Sequence, residues 1–354
     1  MDSGQGIGYR GQGTAGGAAA GYHGRVSLPR HKIAVLAVCP PGLPAVARLG
    51  GLARHAELSI GYDEATIARA APGAEVILYS ALAGGTPPFA AIWPHTGPGL
   101  RWVHSFEAGV DRLLTPELIA SPVPVTNARG VYVAPLAEFA VLGVLFYYKQ
   151  VRRLLASQRQ HRWDQHEVEE LRGKVVGVVG YGAVGQACAA ALRRLGMRVH
   201  ALSRRPGPRL RGVERVWPAA ELHAMLAGAD VLLAAAPLTP ATRHLLDAAA
   251  FAALKPTALV INVGRGPVVE EAALIAALRA GRLAGAALDV FEQEPLGPEH
   301  PFWEMDNVLL SPHCTDRSRE PHWTELGMRC FLDNFRRYRT GRPLRNVVDK
   351  AAGY

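Results

Sequence analysis

Short apolar runs recur along the chain, each followed by a turn and then by a stretch with helical spacing. From Lys32 these runs predict strands over 33–38, 75–79, 101–106 and 123–126, with a helical segment over 43–54. A long helical stretch over 136–158 follows, interrupted by no proline and only by Gly143. Further apolar runs predict strands over 175–179, 197–202, 231–236, 258–263, 285–290 and 307–311, again separated by helical segments. A last helix over 325–338 and a tail over 343–349 close the pattern. Strands that alternate with helices imply parallel sheets covered by helices on both faces, so the expected class is α/β with doubly wound sheets.

The strand over 175–179 runs straight into Gly180, Gly182 and Gly185, spaced G-x-G-x-x-G, and into a helical stretch over 186–195 that stops at Gly196. In that setting Gly180 permits a tight turn, Gly182 lets backbone approach a diphosphate, and Gly185 lets helix and strand pack closely. Ala183 and Val184 lie inside the motif, at the helix end where a diphosphate would sit. The first 30 residues are rich in Gly and Ala, with a single acid, Asp2, and no apolar pattern, and are expected to be disordered. They lack the apolar core of a secretory signal, so a cytoplasmic location is expected, with an organelle transit peptide as the alternative.

Composition narrows the classes. With 354 residues and 49% apolar content, two domains with buried cores are expected. The apolar run over 139–148 is far shorter than the roughly 20 residues of a membrane span, so no membrane partner is expected. Cys39, Cys188, Cys314 and Cys330 are scattered without a paired spacing, which argues against a zinc site or a disulfide framework. The net charge of +9 comes from arginines in small separated groups, a pattern that fits small anionic ligands and points away from nucleic acid.

Several motifs together resemble the D-isomer-specific 2-hydroxyacid dehydrogenases. Residues 101–111 look like that family's substrate loop, 126–130 with Ala137 and Glu138 like its crossover, and 237–242 like its cofactor-edge loop. Asn262 to Gly266, Leu288 to Pro295 and Ser311 to His313 have the order in which the family carries its Arg, Glu and His. The resemblance implies two Rossmann-like or flavodoxin-like domains, with a cofactor domain over 132–312 inserted into a discontinuous substrate domain of 31–131 and 313–354. It also implies a homodimer, with the long helix and the connection carrying Trp163 as the arm.

Reduction of a 2-oxo acid needs a cation for the carboxylate, a proton donor and a hydride held on one face. Arg265 suits the first need, because its guanidinium is permanently charged and forked; taken alone it also reads as a loop arginine. His313 titrates near neutrality and suits proton transfer, with Glu294 orienting it. The resemblance implies that Ala108 and Gly109 bind the substrate carboxylate through backbone N–H groups. It also implies that Asp289 holds the nicotinamide carboxamide, although a helix cap is the alternative. Pro237, Thr242 and Val263 fall at the cofactor edge.

The second strand of a fold that prefers NAD ends in an acid, whereas here that place holds Ser203, Arg204 and Arg205. These residues can donate to a 2′-phosphate, so NADP(H) is the expected cofactor and NAD(H) the second choice. The implied function is NAD(P)H-dependent reduction of a small 2-oxo acid of the glyoxylate or hydroxypyruvate kind. The competing readings are a nucleotide-sensing corepressor of the same fold and another dehydrogenase such as one acting on formate or phosphite. Three places depart from the family pattern: Ala183-Val184 in the glycine motif, Cys314-Thr315-Asp316 after the histidine, and Glu107, an acid expected to disfavour a second negative group on the substrate.

Overall fold

The computed structural model describes residues 31–81, 86–203, 210–317 and 322–354. The amino-terminal stretch, Arg204 and Arg205 lie outside the described residues. Among the described residues, twelve strands form two sheets. The first holds β1 (Ile33–Val38), β2 (Ala56–Ile60), β3 (Val76–Tyr79), β4 (Trp102–Ser105) and β5 (Val125–Thr126), in the order β2-β1-β3-β4-β5. The second holds β6 (Val175–Val179), β7 (Arg198–Ser203), β8 (Arg215–Pro218), β9 (Val231–Ala234), β10 (Leu259–Asn262), β11 (Gly285–Leu288) and β12 (Val308–Leu310). Its order is β12-β11-β10-β9-β6-β7-β8. Every pairing between these strands is parallel.

Parallel strands buried on both faces read as unbroken apolar runs, and Val76–Tyr79, Val175–Val179, Val231–Ala234 and Leu259–Asn262 are buried throughout. The two strands absent from the sequence reading break that rule. β2 (Ala-Glu-Leu-Ser-Ile) is mostly half-exposed, and β8 (Arg-Val-Trp-Pro) carries exposed ends; both lie at sheet edges, where one face or margin meets water and the apolar signal fades.

The predicted long helix is two helices, Val133–Tyr148 and Val151–Arg159, broken at Gln150 in the left-handed region (φ 50°). Side chains hold the break: Lys149 Nζ donates to the carbonyl of Glu169 (2.7 Å) and Gln150 Nε2 to that of Glu167 (2.8 Å). The predicted helix over 43–54 is a 3-10 helix, Pro44–Leu52. The terminal helix, His322–Arg339, begins earlier than its apolar spacing suggests and returns to the first sheet. Phe331 and Phe335 are buried there, and Phe331 stacks on Trp102 with ring centres 5.4 Å apart. Burial of two such rings contributes about 1.5–3 kcal/mol each. The tail then adds a bridge between Thr126 and Val347. Among the described residues no helix is long and apolar enough to cross a membrane.

His104 on β4 is completely buried between Trp102 and Phe331. Its Nδ1 shares a hydrogen bond with Thr126 Oγ1 (2.7 Å), and its Nε2 has no partner among the described residues. Burial lowers its pKa from 6.5 to about 3, so the folded protein keeps the ring neutral where the unfolded chain would take a proton. The stability this provides is complete above pH 6.5 and is lost as pH falls toward 3. We expect unfolding free energy measured by denaturant titration to decline below neutrality with a component of about 1.4 kcal/mol per pH unit from this group. His104→Gln should flatten that component.

Candidate active site

The glycine-rich turn leaves β6 at the point where strand order reverses, between β6 and β9, which is where an open parallel sheet forms its ligand crevice. Gly180 is left-handed (φ 96°) and lies against the backbone of Ala235 and Ala236 after β9, so a side chain there would collide with main chain. Gly185 packs against the carbonyl of Gly180, while the space over Gly182 is open. The helix Ala183–Arg194 starts from Gly182 with no side-chain cap, so its first amides stand ready for an anion. A dinucleotide diphosphate fits this cradle. Ala183 and Val184 offer it backbone alone.

Other cofactor-edge residues line the same end of the sheet. Ser203 ends β7 in register with Pro218, and no acid stands there. Pro237 is exposed, and Thr242 closes its loop by donating to the Pro237 carbonyl (2.6 Å) and accepting from Thr239 N–H (2.8 Å). Val263 is buried behind the next loop, whose shape is set by Asn262: its Oδ1 accepts from Gly264 N–H (3.0 Å) and its Nδ2 donates to the Arg265 carbonyl (3.1 Å).

Arg265 leaves that loop and crosses to the first sheet. Its Nε donates to Asp111 Oδ1 (2.9 Å), its Nη1 to the Gly264 carbonyl (2.9 Å), and its Nη2 lies where a β-carbon of Gly109 would be. Burial alone would raise the pKa of Asp111, but the charge and hydrogen bond of Arg265 outweigh it and hold the carboxyl low. The loop is pinned from behind by Asn127, whose Nδ2 donates to the Ala108 carbonyl (2.6 Å). Glu107 accepts from Ser80 Oγ (3.1 Å), Ala81 N–H (2.8 Å) and Ser105 Oγ (3.2 Å). Burial raises its pKa, with those bonds opposing it.

His313 Nδ1 lies 2.7 Å from Glu294 Oε2, and Glu294 Oε1 accepts from Phe291 N–H (3.1 Å). Arg112 comes within 3.9 Å of the same Glu294 oxygen, so the adjacent residues Asp111 and Arg112 reach Arg265 and Glu294. The hydrogen bond to Glu294 raises the His313 pKa, with burial opposing it; burial would raise Glu294, but His313, the Phe291 N–H and Arg112 together lower it by more. Arg265, Glu294 and His313 thus meet at one cleft with Gly109. Asp111 and Asn127 were visible only as parts of motifs and Arg112 not at all, because no local spacing announces a contact 154 residues away.

Asp289, by contrast, is buried with its carboxylate engaged by the turn after β12: Ser311 Oγ (2.7 Å), Cys314 N–H (3.1 Å), Thr315 N–H (3.3 Å) and Thr315 Oγ1 (2.5 Å) all donate to it.

Comparison with known proteins shows which family the chain resembles. The family described as "D-isomer specific 2-hydroxyacid dehydrogenase, NAD binding domain" matches residues 141–315. The glyoxylate reductase of Thermofilum pendens is 36% identical over 234 residues, 63% of this chain and 68% of that protein. The chain belongs to the D-isomer specific 2-hydroxyacid dehydrogenases. This dehydrogenase is also similar to a family member from Xanthobacter autotrophicus Py2 solved with NADPH and MES (32% identity, TM-score 0.79, 92% of this chain and 100% of that one). It is similar as well to the NADPH-dependent glyoxylate/hydroxypyruvate reductase of Sinorhizobium meliloti solved with NADP and sulfate (32% identity, TM-score 0.79, 91% and 100%).

The hydrogen bond from His313 to Glu294 gives a measurable consequence. The His313 ring should titrate above 6.5 in an NMR pH series, and Glu294→Gln should bring its midpoint down, because the charge that favours the imidazolium is gone.

Proposed function

We propose that this dehydrogenase reduces small 2-oxo acids, glyoxylate or hydroxypyruvate among them, to the D-2-hydroxy acid with NADPH as the preferred donor. The observation that carries this reading is the convergence of Arg265, held over Gly109, and the His313–Glu294 pair on one cleft beside the glycine cradle. The nicotinamide nucleotide, when bound, supplies the hydride. Gly180, Gly182, Ala183, Val184 and Gly185 would hold its diphosphate, and Pro237, Thr242 and Val263 its edge; Asp289, expected at the carboxamide, is buried with its oxygens already taken by the turn after β12 and is left out of the cofactor set. The substrate carboxylate would lie on the backbone N–H groups of Ala108 and Gly109.

Arg265 has its Nε and one Nη1 hydrogen committed, so Nη2 and the rest of Nη1 form the edge that meets carboxylate and carbonyl oxygen. There its charge polarises the carbonyl and stabilises the oxygen as it becomes an alkoxide. Glu294 takes Nδ1 of His313, which leaves Nε2 to deliver the proton to that oxygen. The carbonyl carbon gains the hydride, the oxygen gains the proton, and neutral His313 remains beside ionised Glu294.

The absence of an acid at the end of β7, with Ser203 there and Arg204 and Arg205 next in sequence, supports NADPH over NADH. Residues 31–131 with 313–354 would act as the substrate unit and 132–312 as the cofactor unit. Exposed Leu142, Leu154, Leu155, Val168 and Trp163, the last 90% exposed, support a homodimer through the broken helix and its connection.

Steady-state assays with a panel of 2-oxo acids and both cofactors test the reading: turnover of glyoxylate or hydroxypyruvate with higher kcat/KM for NADPH is expected, and equal or better use of NADH would overturn the preference. Arg265→Ala should lower kcat/KM for the oxo acid by about 100-fold or more, and His313→Ala should lower kcat by roughly two to four orders of magnitude. Near wild-type rates in both variants would overturn the site assignment.

A further inference from the structure

His313 is one of a few non-glycine residues in the left-handed region among the described residues (φ 50°), a conformation that L-residues rarely adopt. Something must hold it there. Its own N–H closes a tight turn on the Ser311 carbonyl (2.9 Å), and the next two N–H groups, of Cys314 and Thr315, both point at Asp289 Oδ1. Successive amides around a left-handed residue form a concave donor site for an anion, and here the anion is a side chain at the end of β11. Hydroxyls complete the clasp, Ser311 on Oδ1 and Thr315 on Oδ2.

A carboxylate offers about four lone-pair sites, and this one already accepts four bonds from a single five-residue turn. The contact at Oδ2 is the one that depends on a particular side chain outside the Ser-Pro-His motif. We propose that Thr315, acting through the buried carboxylate of Asp289, is a positioning residue that sets the backbone of His313 and so aims its ring at Glu294 and the cleft. This rests on the reading of His313 as the proton donor. Glu294 fixes the far side of the ring and the Asp289 clasp fixes its root. Loss of either anchor should let the imidazole leave its partner, and misplacement of a reacting group by about 1 Å can cost up to about 100-fold. The charged groups facing His313 are Glu294 with Arg112 beside it, Arg265, Asp289 and Asp316, and none of them is changed by a substitution at Thr315.

The test uses Thr315→Val and Thr315→Ser in the full chain, with two readouts: the NMR titration of the His313 ring without ligand, and NADPH-dependent glyoxylate reduction across pH with the NADPH Kd measured by fluorescence. For Thr315→Val we expect kcat about tenfold lower, an NADPH Kd within about twofold of wild type, and a His313 midpoint shifted down as the Glu294 contact loosens. Thr315→Ser, which keeps the hydroxyl, should restore kcat and the midpoint with the NADPH Kd unchanged, which shows that the fold tolerates the site. Wild-type kcat and midpoint in Thr315→Val would overturn the proposal, as would a change confined to the NADPH Kd, which would assign Asp289 and Thr315 to the cofactor instead. If wild-type protein reduces no oxo acid, the functional reading fails alone, and the His313 titration still decides whether Thr315 positions the ring.

Discussion

A parallel strand cannot turn straight back onto its neighbour; it must cross over, usually through a helix, and begin again at the same end. Both sheets of this protein obey that constraint without exception among their strand pairings. All loops that leave the carboxyl ends of the strands are therefore gathered on one edge of each sheet. The loops after β4, β6, β9, β10, β11 and β12 carry nearly every residue discussed for the cleft. The chemistry of the site is a consequence of strand direction before it is a consequence of any single side chain.

On that edge, charge is arranged so that few groups stand alone. Arg265 meets Asp111, Glu294 meets both His313 and Arg112, and Asp289 is surrounded by donors. Partly buried charges of this kind contribute little net stability, because desolvation offsets much of their attraction. Their effect is geometric: each pairing removes one direction in which a long side chain could point. Arg265 illustrates it, since Asp111 takes Nε and Gly264 takes Nη1, which leaves a single edge of the guanidinium for a planar carboxylate. Tight backbone approaches at Gly180 and Gly109 then set how closely the walls come together.

The fold was legible to a large degree because its information is local. A buried strand needs apolar side chains on both faces, so β1, β3, β6, β9 and β10 appear as apolar runs. The edge strands β2 and β8 did not appear, because solvent on one side relaxes that demand. The break at Gln150 was hidden for a different reason: neither glycine nor proline marks it, and the groups that hold it come from residues 167 and 169.

The sequence by itself determined the alternation of strands and helices, the glycine turn with its close approaches, the lack of an acid at Ser203, and the presence of Arg265, Glu294 and His313 in order. Hydrophobic periodicity and backbone sterics write such features within a few neighbouring residues. Only the tertiary structure decided that Asp111 takes one side of Arg265, that Glu107 bonds to Ser80 and Ala81, and that Asp289 clasps the turn holding His313 in a left-handed conformation. Each of those outcomes is a hydrogen bond made where loops from separate strands meet, and which loops meet is set by sheet order rather than by the residues on either side.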